Sequence, residues 1–243
     1  MLTIGLMSGT SMDGIDAAII NTDGSPALIE DRGHTTLAYD AETKILLKAC
    51  ELAARLAFGY VDLARKFFPQ ALRTYLTTEL KMLDINVNSK IKELTCYLHG
   101  DDQINLQITF DDVVMLSTQL HINAVRQLLS ETGYLPSQIQ VIGYHGQTLF
   151  HHPAVGASLI VGDGQYMANQ LCTKVVTDFR SADIAAGKEH MNKDGAQLFA
   201  CLAVCILNNK SLTMPGTTGV PQPLTGGSIC RPEFHPLLSR ITY

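Results

Sequence analysis

Three short segments concentrate the side chains that could do chemistry. The first is Ser8-Gly9-Thr10-Ser11-Met12-Asp13-Gly14-Ile15, with three hydroxyl donors and two glycines. Glycine lets a backbone come close to a ligand, and successive N–H groups in such a turn can form a nest for phosphate oxygens. Asp13 adds a carboxylate that could hold a magnesium ion or its waters. The Gly-x-x-x-x-Gly-Lys spacing of a Walker loop is missing, and an ordinary Asp-Gly hairpin turn stays open as an account. The second segment is Gly143-Tyr144-His145-Gly146-Gln147-Thr148. A strand that ends in His, Gln and Thr puts polar tips at the carboxyl edge of a sheet, where α/β proteins bind ligands. The third is Asp178-Phe179-Arg180-Ser181-Ala182-Asp183. Arg180 could fork onto a carboxylate and either aspartate could accept a proton; an internal Arg–Asp pair explains the same residues.

The elements around these segments follow from periodicity. Residues 2–7 and 15–21 read as a strand pair around the first segment, with Asp13-Gly14 as the turn signal and a third strand over 33–39. From Ala41 the period becomes helical, with Ile45, Leu46, Ala49, Leu52 and Leu56 on one face. A second helical stretch should stop at Pro69, with another helix over 70–83. Residues 84–111 read as less regular, with polar turns at 86–90 and 99–103. Asp111-Asp112 are placed to cap a helix whose stripe is Val113, Leu116, Leu120, Ala124 and Leu128, ending at Gly133. Strands over 140–144, 158–161 and 174–177, with a short helix over 165–171, frame the second and third segments. His145–Thr148 reads as a polar turn. A last helix spans 194–208, and the Pro-, Gly- and Thr-rich remainder reads as irregular. Hairpin strands followed by mixed strands and helices predict an α/β fold with a mixed sheet.

Composition narrows the function classes. With 46% apolar and 17% charged residues, 243 residues can bury a core without staples, as one large or two small domains. A net charge of −5, from 18 basic and 23 acidic residues, argues against a general nucleic-acid binder. The longest nearly apolar stretch, residues 196–207, falls short of the ~20 residues a membrane helix needs. The first residues lack the basic start of a secretory leader. Six cysteines without a CxxC pair fit a reducing, cytoplasmic setting. Cys201 and Cys205 share a helix face. A metal pair is conceivable there, but no nearby His or Cys completes a site, and buried core thiols are the plainer account.

Taken together and in this order, the motifs resemble those of the 1,6-anhydro-N-acetylmuramic acid kinases. The matching stretches are Gly5 through Asp16, His145-Gly146-Gln147-Thr148 with Pro153, Ser158 through Gly164, and Asp178-Phe179-Arg180 with Asp183-Ile184-Ala185-Ala186-Gly187. Ala196-Gln197-Leu198-Phe199-Ala200 and the segment from Thr217 to Gly227 are similar to the family's closing helix and loop. The resemblance implies the two-lobed sugar kinase and actin-like ATPase fold, with a ribonuclease H-like N-terminal lobe. It also implies ATP and magnesium as cofactors and a muramyl sugar as substrate, whose anhydro bond is opened by water as its O6 is phosphorylated during cell-wall recycling. The family often dimerises. On this reading Ser8, Gly9, Thr10, Ser11, Met12, Asp13, Gly14 and Ile15 face the ATP phosphates. His145, Gly146, Gln147, Thr148 and Arg180 face the sugar, Arg180 toward its lactyl carboxylate.

One departure weighs against full activity. The family follows Ala-Ala-Gly with a second lobe whose Gly-Phe-Asp-Thr-Gly-Pro-Gly-Asn motif carries the catalytic base, whereas here Gly187 runs into Lys188 and then the final helix. The chain therefore reads as an N-terminal lobe over 1–187, with a helical insert at 41–139, and a C-terminal remnant over 188–243. The second lobe is largely missing. Asp178 and Asp183 are the remaining acid candidates, and a non-catalytic module that binds muramyl sugar or phosphate is the alternative function.

Overall fold

Strand β1 (Leu2–Ser8) is buried on both faces, which explains its nearly unbroken apolar run. It lies in the middle of a mixed sheet in the computed structural model, which describes residues 1–25, 28–103, 106–152, 157–179, 195–211 and 226–233. The other strands are β2 (Gly14–Thr22), β3 (Ile29–Ala38), β4 (Val141–His152), β5 (Ala157–Val161), β6 (Val175–Thr177) and β7 (Ser228–Cys230). Their order is β3-β2-β1-β4-β6-β7, with β5 paired to β4. β1 runs antiparallel to β2 and parallel to β4, and β4 runs parallel to β6. The α/β fold with a mixed sheet is thus present. The tail is less irregular than its composition suggests, because β7 adds an antiparallel edge to β6.

Helices cover both faces. On one side lie α1 (Ala41–Leu56), α2 (Val61–Thr74), α3 (Asp84–His99) and α4 (Phe110–Thr132). α1 and α4 touch the sheet, and α2 packs on α1. Asp40 caps α1 by accepting from the Thr43 N–H at 2.8 Å. α4 is capped by Thr109 rather than by the acidic pair itself: Asp112 completes a capping box with it, and Gly133 ends the helix at φ 76°. A short helix, α5 (Gly164–Leu171), follows β5, and α6 (Gly195–Leu207) lies on the opposite face against β1, β2 and β4.

Two expectations fail here for physical reasons. Pro69 does not stop α2, which continues to Thr74 and then takes one π-helical turn at Tyr75–Glu79. An internal proline costs about 3 kcal/mol. Full burial of Phe68 and Leu72 on the core face contributes about 1.5–3 kcal/mol each and offsets it. Residues 84–99 are helical, not irregular: Val87, Ile91, Leu94 and Leu98 meet the core from one face, and that stripe outweighs the polar residues between them.

α6 sits so close to the sheet that glycine is required beneath it. A Cβ on Gly5 would fall 1.7 Å from the Ala196 carbonyl oxygen, and one on Gly143 2.0 Å from that of Phe199. The main core, including Ile4, Leu6, Ile142 and Tyr144, fills the α1/α4 side. A smaller cluster with Val141, Val176, Phe199 and Leu202 fills the α6 side.

Candidate active site

β1, β4 and β6 are neighbours and parallel, with Gly5 opposite Gly143 and Gly143 opposite Val176. Their carboxyl-terminal ends therefore bring the first and second sequence segments, and Asp178-Phe179 of the third, to one rim of the sheet.

The first segment is the β1–β2 connection. Met12 anchors it from below: its side chain is buried, its φ is +57°, and its N–H donates to the Gly9 carbonyl at 3.2 Å. Thr10, Ser11 and Asp13 are left exposed at the tip. The Asp13 carbonyl accepts from the Tyr39 N–H at 3.0 Å. A Cβ on Gly14 would meet the Leu37 carbonyl oxygen at 2.5 Å, so this corner closes only around glycine. The exposed hydroxyls fit a phosphate oxygen, and Asp13 fits a magnesium ion that keeps its waters and phosphate ligands. Among the described residues no group of three or more His, Cys, Asp or Glu could hold a metal ion, so those residues alone offer no closed cage.

Ser8 is buried beneath this turn, with Oγ 3.1 Å from the Gly146 carbonyl oxygen and 3.1 Å from His121 Nε2. His121 Nδ1 lies 2.7 Å from the Ser117 carbonyl oxygen. A carbonyl only accepts, so Nδ1 carries the hydrogen and Nε2 of the neutral ring accepts. The single Ser8 hydroxyl hydrogen is then contested between Nε2 and the Gly146 carbonyl. Burial pushes His121 down to about 4, against the opposing hydrogen bond to Ser117. His121 escapes sequence reasoning because a lone His inside an amphipathic helix carries no signal of its partner.

The second segment is not a turn. β4 runs through it with a bulge: from Leu6 to Ser8 on β1, the partners advance from Tyr144 to Gln147 on β4. The extra residue needs a glycine, since Gly146 has φ +82° and a Cβ there would meet the Val161 carbonyl oxygen at 2.7 Å. The bulge shifts which side chains face the α1/α4 side. Tyr144 points there, against the His121 ring at 4.9 Å, and so does Gln147, which is fully buried. Gln147 Oε1 accepts from the Tyr39 hydroxyl at 3.1 Å, and Nε2 donates to the Gly9 and Thr148 carbonyls at 3.0 and 3.2 Å. Gln147 thus ties β4 to the β1–β2 turn. Burial pushes Tyr39 up to about 12, so its hydroxyl stays protonated. Thr148 is also buried.

His145 faces the α6 side and stacks on Phe199 at 4.5 Å between ring centroids; Phe199 in turn meets Phe179 at 5.3 Å. A cleft of about 220 Å³ opens here, lined among others by His145, Gly146, Gly162, Asp178 and Phe179. Asp178 is exposed, with φ +59°. It is the one carboxylate lining this cleft among the described residues. Arg180 and Asp183 lie outside the described residues, as do residues 212–225 of the closing segment.

The model of the anhydro-N-acetylmuramic acid kinase family matches residues 85–211, just over half of the chain. The chain belongs to this family. The match begins in α3, so it includes helices in which no motif is visible. Anhydro-N-acetylmuramic acid kinases from Methylobacterium nodulans, Azorhizobium caulinodans and Rhizorhabdus wittichii are 33%, 32% and 36% identical to it, over 77%, 88% and 77% of the chain. Those stretches cover 41%, 45% and 39% of the relatives. The chain spans less than half the length of these anhydro-N-acetylmuramic acid kinases. Among the described residues no helix is long and apolar enough to cross a membrane.

Proposed function

We propose that this chain is the phosphate- and sugar-facing lobe of an anhydro-N-acetylmuramic acid kinase, and that alone it binds its ligands without completing turnover. The family reaction opens 1,6-anhydro-N-acetylmuramic acid with water and phosphorylates O6, returning N-acetylmuramic acid 6-phosphate to cell-wall recycling. The observation that carries this reading is the shared rim of β1, β4 and β6, where the Thr10–Asp13 tip stands beside the His145–Asp178 cleft. ATP with magnesium would supply the phosphoryl group and screen its charge. The chain's own part is to offer the Thr10 and Ser11 hydroxyls and turn N–H groups to phosphate oxygens, with Asp13 beside them for the ion's waters. His145 and Gly146 form the sugar wall, with Thr148 and Arg180 as further sugar candidates, and Gln147 supports that wall from behind.

Opening the anhydro bond needs a base for the attacking water. Asp178 lines the cleft, and Asp183 is the second acid of the same segment. Loss of a positioned base costs about 10²–10⁴ in rate, and a missing opposing wall removes orientation as well.

The test mixes the 243-residue chain with magnesium-ATP and 1,6-anhydro-N-acetylmuramic acid. Saturable calorimetric binding of each ligand, without ADP release, is expected. The Thr10→Val/Ser11→Ala variant should lose nucleotide binding and keep its melting temperature. Turnover abolished by Asp178→Asn or Asp183→Asn would instead make the chain a working kinase with a substituted base. Absence of binding by either ligand would overturn the proposal.

A further inference from the structure

Tyr39 stands between β3 and the Asp40 cap of α1, and it is buried, at 4% exposure. A phenylalanine would fill the same space, so the hydroxyl calls for its own account. Main chain and side chain of this residue hold two different parts of the rim. The Tyr39 N–H donates to the Asp13 carbonyl at 3.0 Å, in the β1–β2 connection. The Tyr39 hydroxyl lies 3.1 Å from Gln147 Oε1, on the strand that carries the cleft wall. The backbone is pinned from the α1 side as well, since Asp40 accepts from the Thr43 N–H at 2.8 Å and from the Tyr97 hydroxyl at 2.9 Å.

Gln147 closes the ring. A carbonyl only accepts, so the side-chain amide nitrogen must face the Gly9 and Thr148 carbonyls, at 3.0 and 3.2 Å. Oε1 is then left to accept the Tyr39 hydroxyl hydrogen. The Gly9 carbonyl also accepts from the Met12 N–H at 3.2 Å, which fills both of its lone pairs. One residue away a second tie runs in the opposite sense: Ser8 Oγ and His145 Nδ1 each lie 3.1 Å from the Gly146 carbonyl oxygen. Gln147 is fully buried, so losing one of its partners leaves a polar atom with no water to replace it. The turn and the bulge therefore move as one unit.

We propose that Tyr39 is a positioning residue: acting through Gln147, it holds the β1–β2 turn and the cleft wall in one arrangement, so that a ligand at either raises affinity at the other. Tyr39 is not among the residues lining the cleft, and its burial keeps it from meeting a ligand itself. A nucleotide phosphate that orders the turn fixes the Gly9 carbonyl, and with it Gln147 and the wall. A sugar pressed against His145 and Gly146 orders the same bonds from the other side. The ordering cost then falls on the first ligand, and the second binds more tightly. Linkage makes the gain reciprocal. The inference rests on the kinase reading for the identity of its two ligands, but not for the bonds that carry it.

Amide hydrogen exchange, read residue by residue by NMR, tests this on the 243-residue chain. Magnesium-ADP alone should protect residues 145–148 together with the turn at 9–14, and 1,6-anhydro-N-acetylmuramic acid alone should protect the turn together with 145–148. Calorimetric titration of the sugar should give a dissociation constant about fivefold lower in saturating magnesium-ADP, at the low end of typical couplings. In Tyr39→Phe each protection should stay within its own segment and that ratio should fall to about one. A merely structural role would weaken both ligands and leave the ratio unchanged. If neither ligand binds, the kinase reading fails, and exchange without ligand still decides this inference: Tyr39→Phe should speed exchange in the turn and in 145–148 together, with α5 unchanged. Protection that never crosses between the segments in the unmodified chain, a ratio of one there, a ratio that survives Tyr39→Phe, or loosening confined to the residues around position 39 would overturn the proposal.

Discussion

Replacing Gly5 with alanine would place a methyl carbon 1.7 Å from the Ala196 carbonyl oxygen and 2.6 Å from the Ala200 backbone nitrogen. Both opposing atoms belong to the backbone of α6, so no side chain can rotate aside. The helix has to retreat by more than an ångström before the contact reaches 3.0 Å, itself shorter than real Cβ contacts. That retreat opens the packing of Phe199, Leu202 and Ala203 against the sheet. Overpacking typically costs 1–3 kcal/mol, and a rigid partner puts Gly5→Ala at the upper end, about 3 kcal/mol. For a chain of this size that lowers the melting temperature by roughly 6–12 °C. Gly9→Ala is the matched control, because its Cβ would find nothing closer than Ser11 Oγ at 3.5 Å. Thermal and urea unfolding, followed by circular dichroism, would measure both. A Gly5→Ala midpoint equal to that of Gly9→Ala would refute the close docking of α6 on β1.

Two further outcomes follow from the buried polar groups. His121 is held neutral, near 4 against a usual value of 6.5, so the unfolded chain takes up a proton that the folded chain refuses. Its contribution is full above pH 6.5 and is lost as pH falls toward 4, about 3 kcal/mol across that window. Urea unfolding at neutral pH and near pH 4 should show that decrement shrinking in His121→Gln, and an unchanged difference would contradict it. Gln147→Leu should cost about 2 kcal/mol or more, since it strips the Tyr39 hydroxyl and the Gly9 carbonyl of a buried partner. Equal urea midpoints for variant and parent would show that the Gln147 bridge holds nothing.

Much of the local structure is legible in residue order alone. The hairpin around Ser8–Ile15, the helix from Ala41, the stop at Gly133 and the α/β class follow from periodicity and turn chemistry, which act between near neighbours. The three segments of the rim are visible for the same reason: their residue types are unusual in short stretches. Pro69 shows where local rules give way, because its penalty is local but the burial of Phe68 and Leu72 that overrides it is not. Residues 84–99 show the reverse error, a stripe present in the sequence yet masked by the polar residues between.

Contacts between distant residues belong to the tertiary structure. The pairing of β1 with β4 joins residues more than a hundred positions apart and decides that the turn and the cleft share a rim. The bulge at Gly146 decides which way Gln147 faces, since one extra residue shifts a strand's alternation. His121 beneath Ser8, Cys205 against Gly24, and the need for glycine at positions 5 and 143 are likewise set by which surfaces meet. Sequence spacing records what a residue can do; packing decides what it is next to, and the chemistry of a site depends on both.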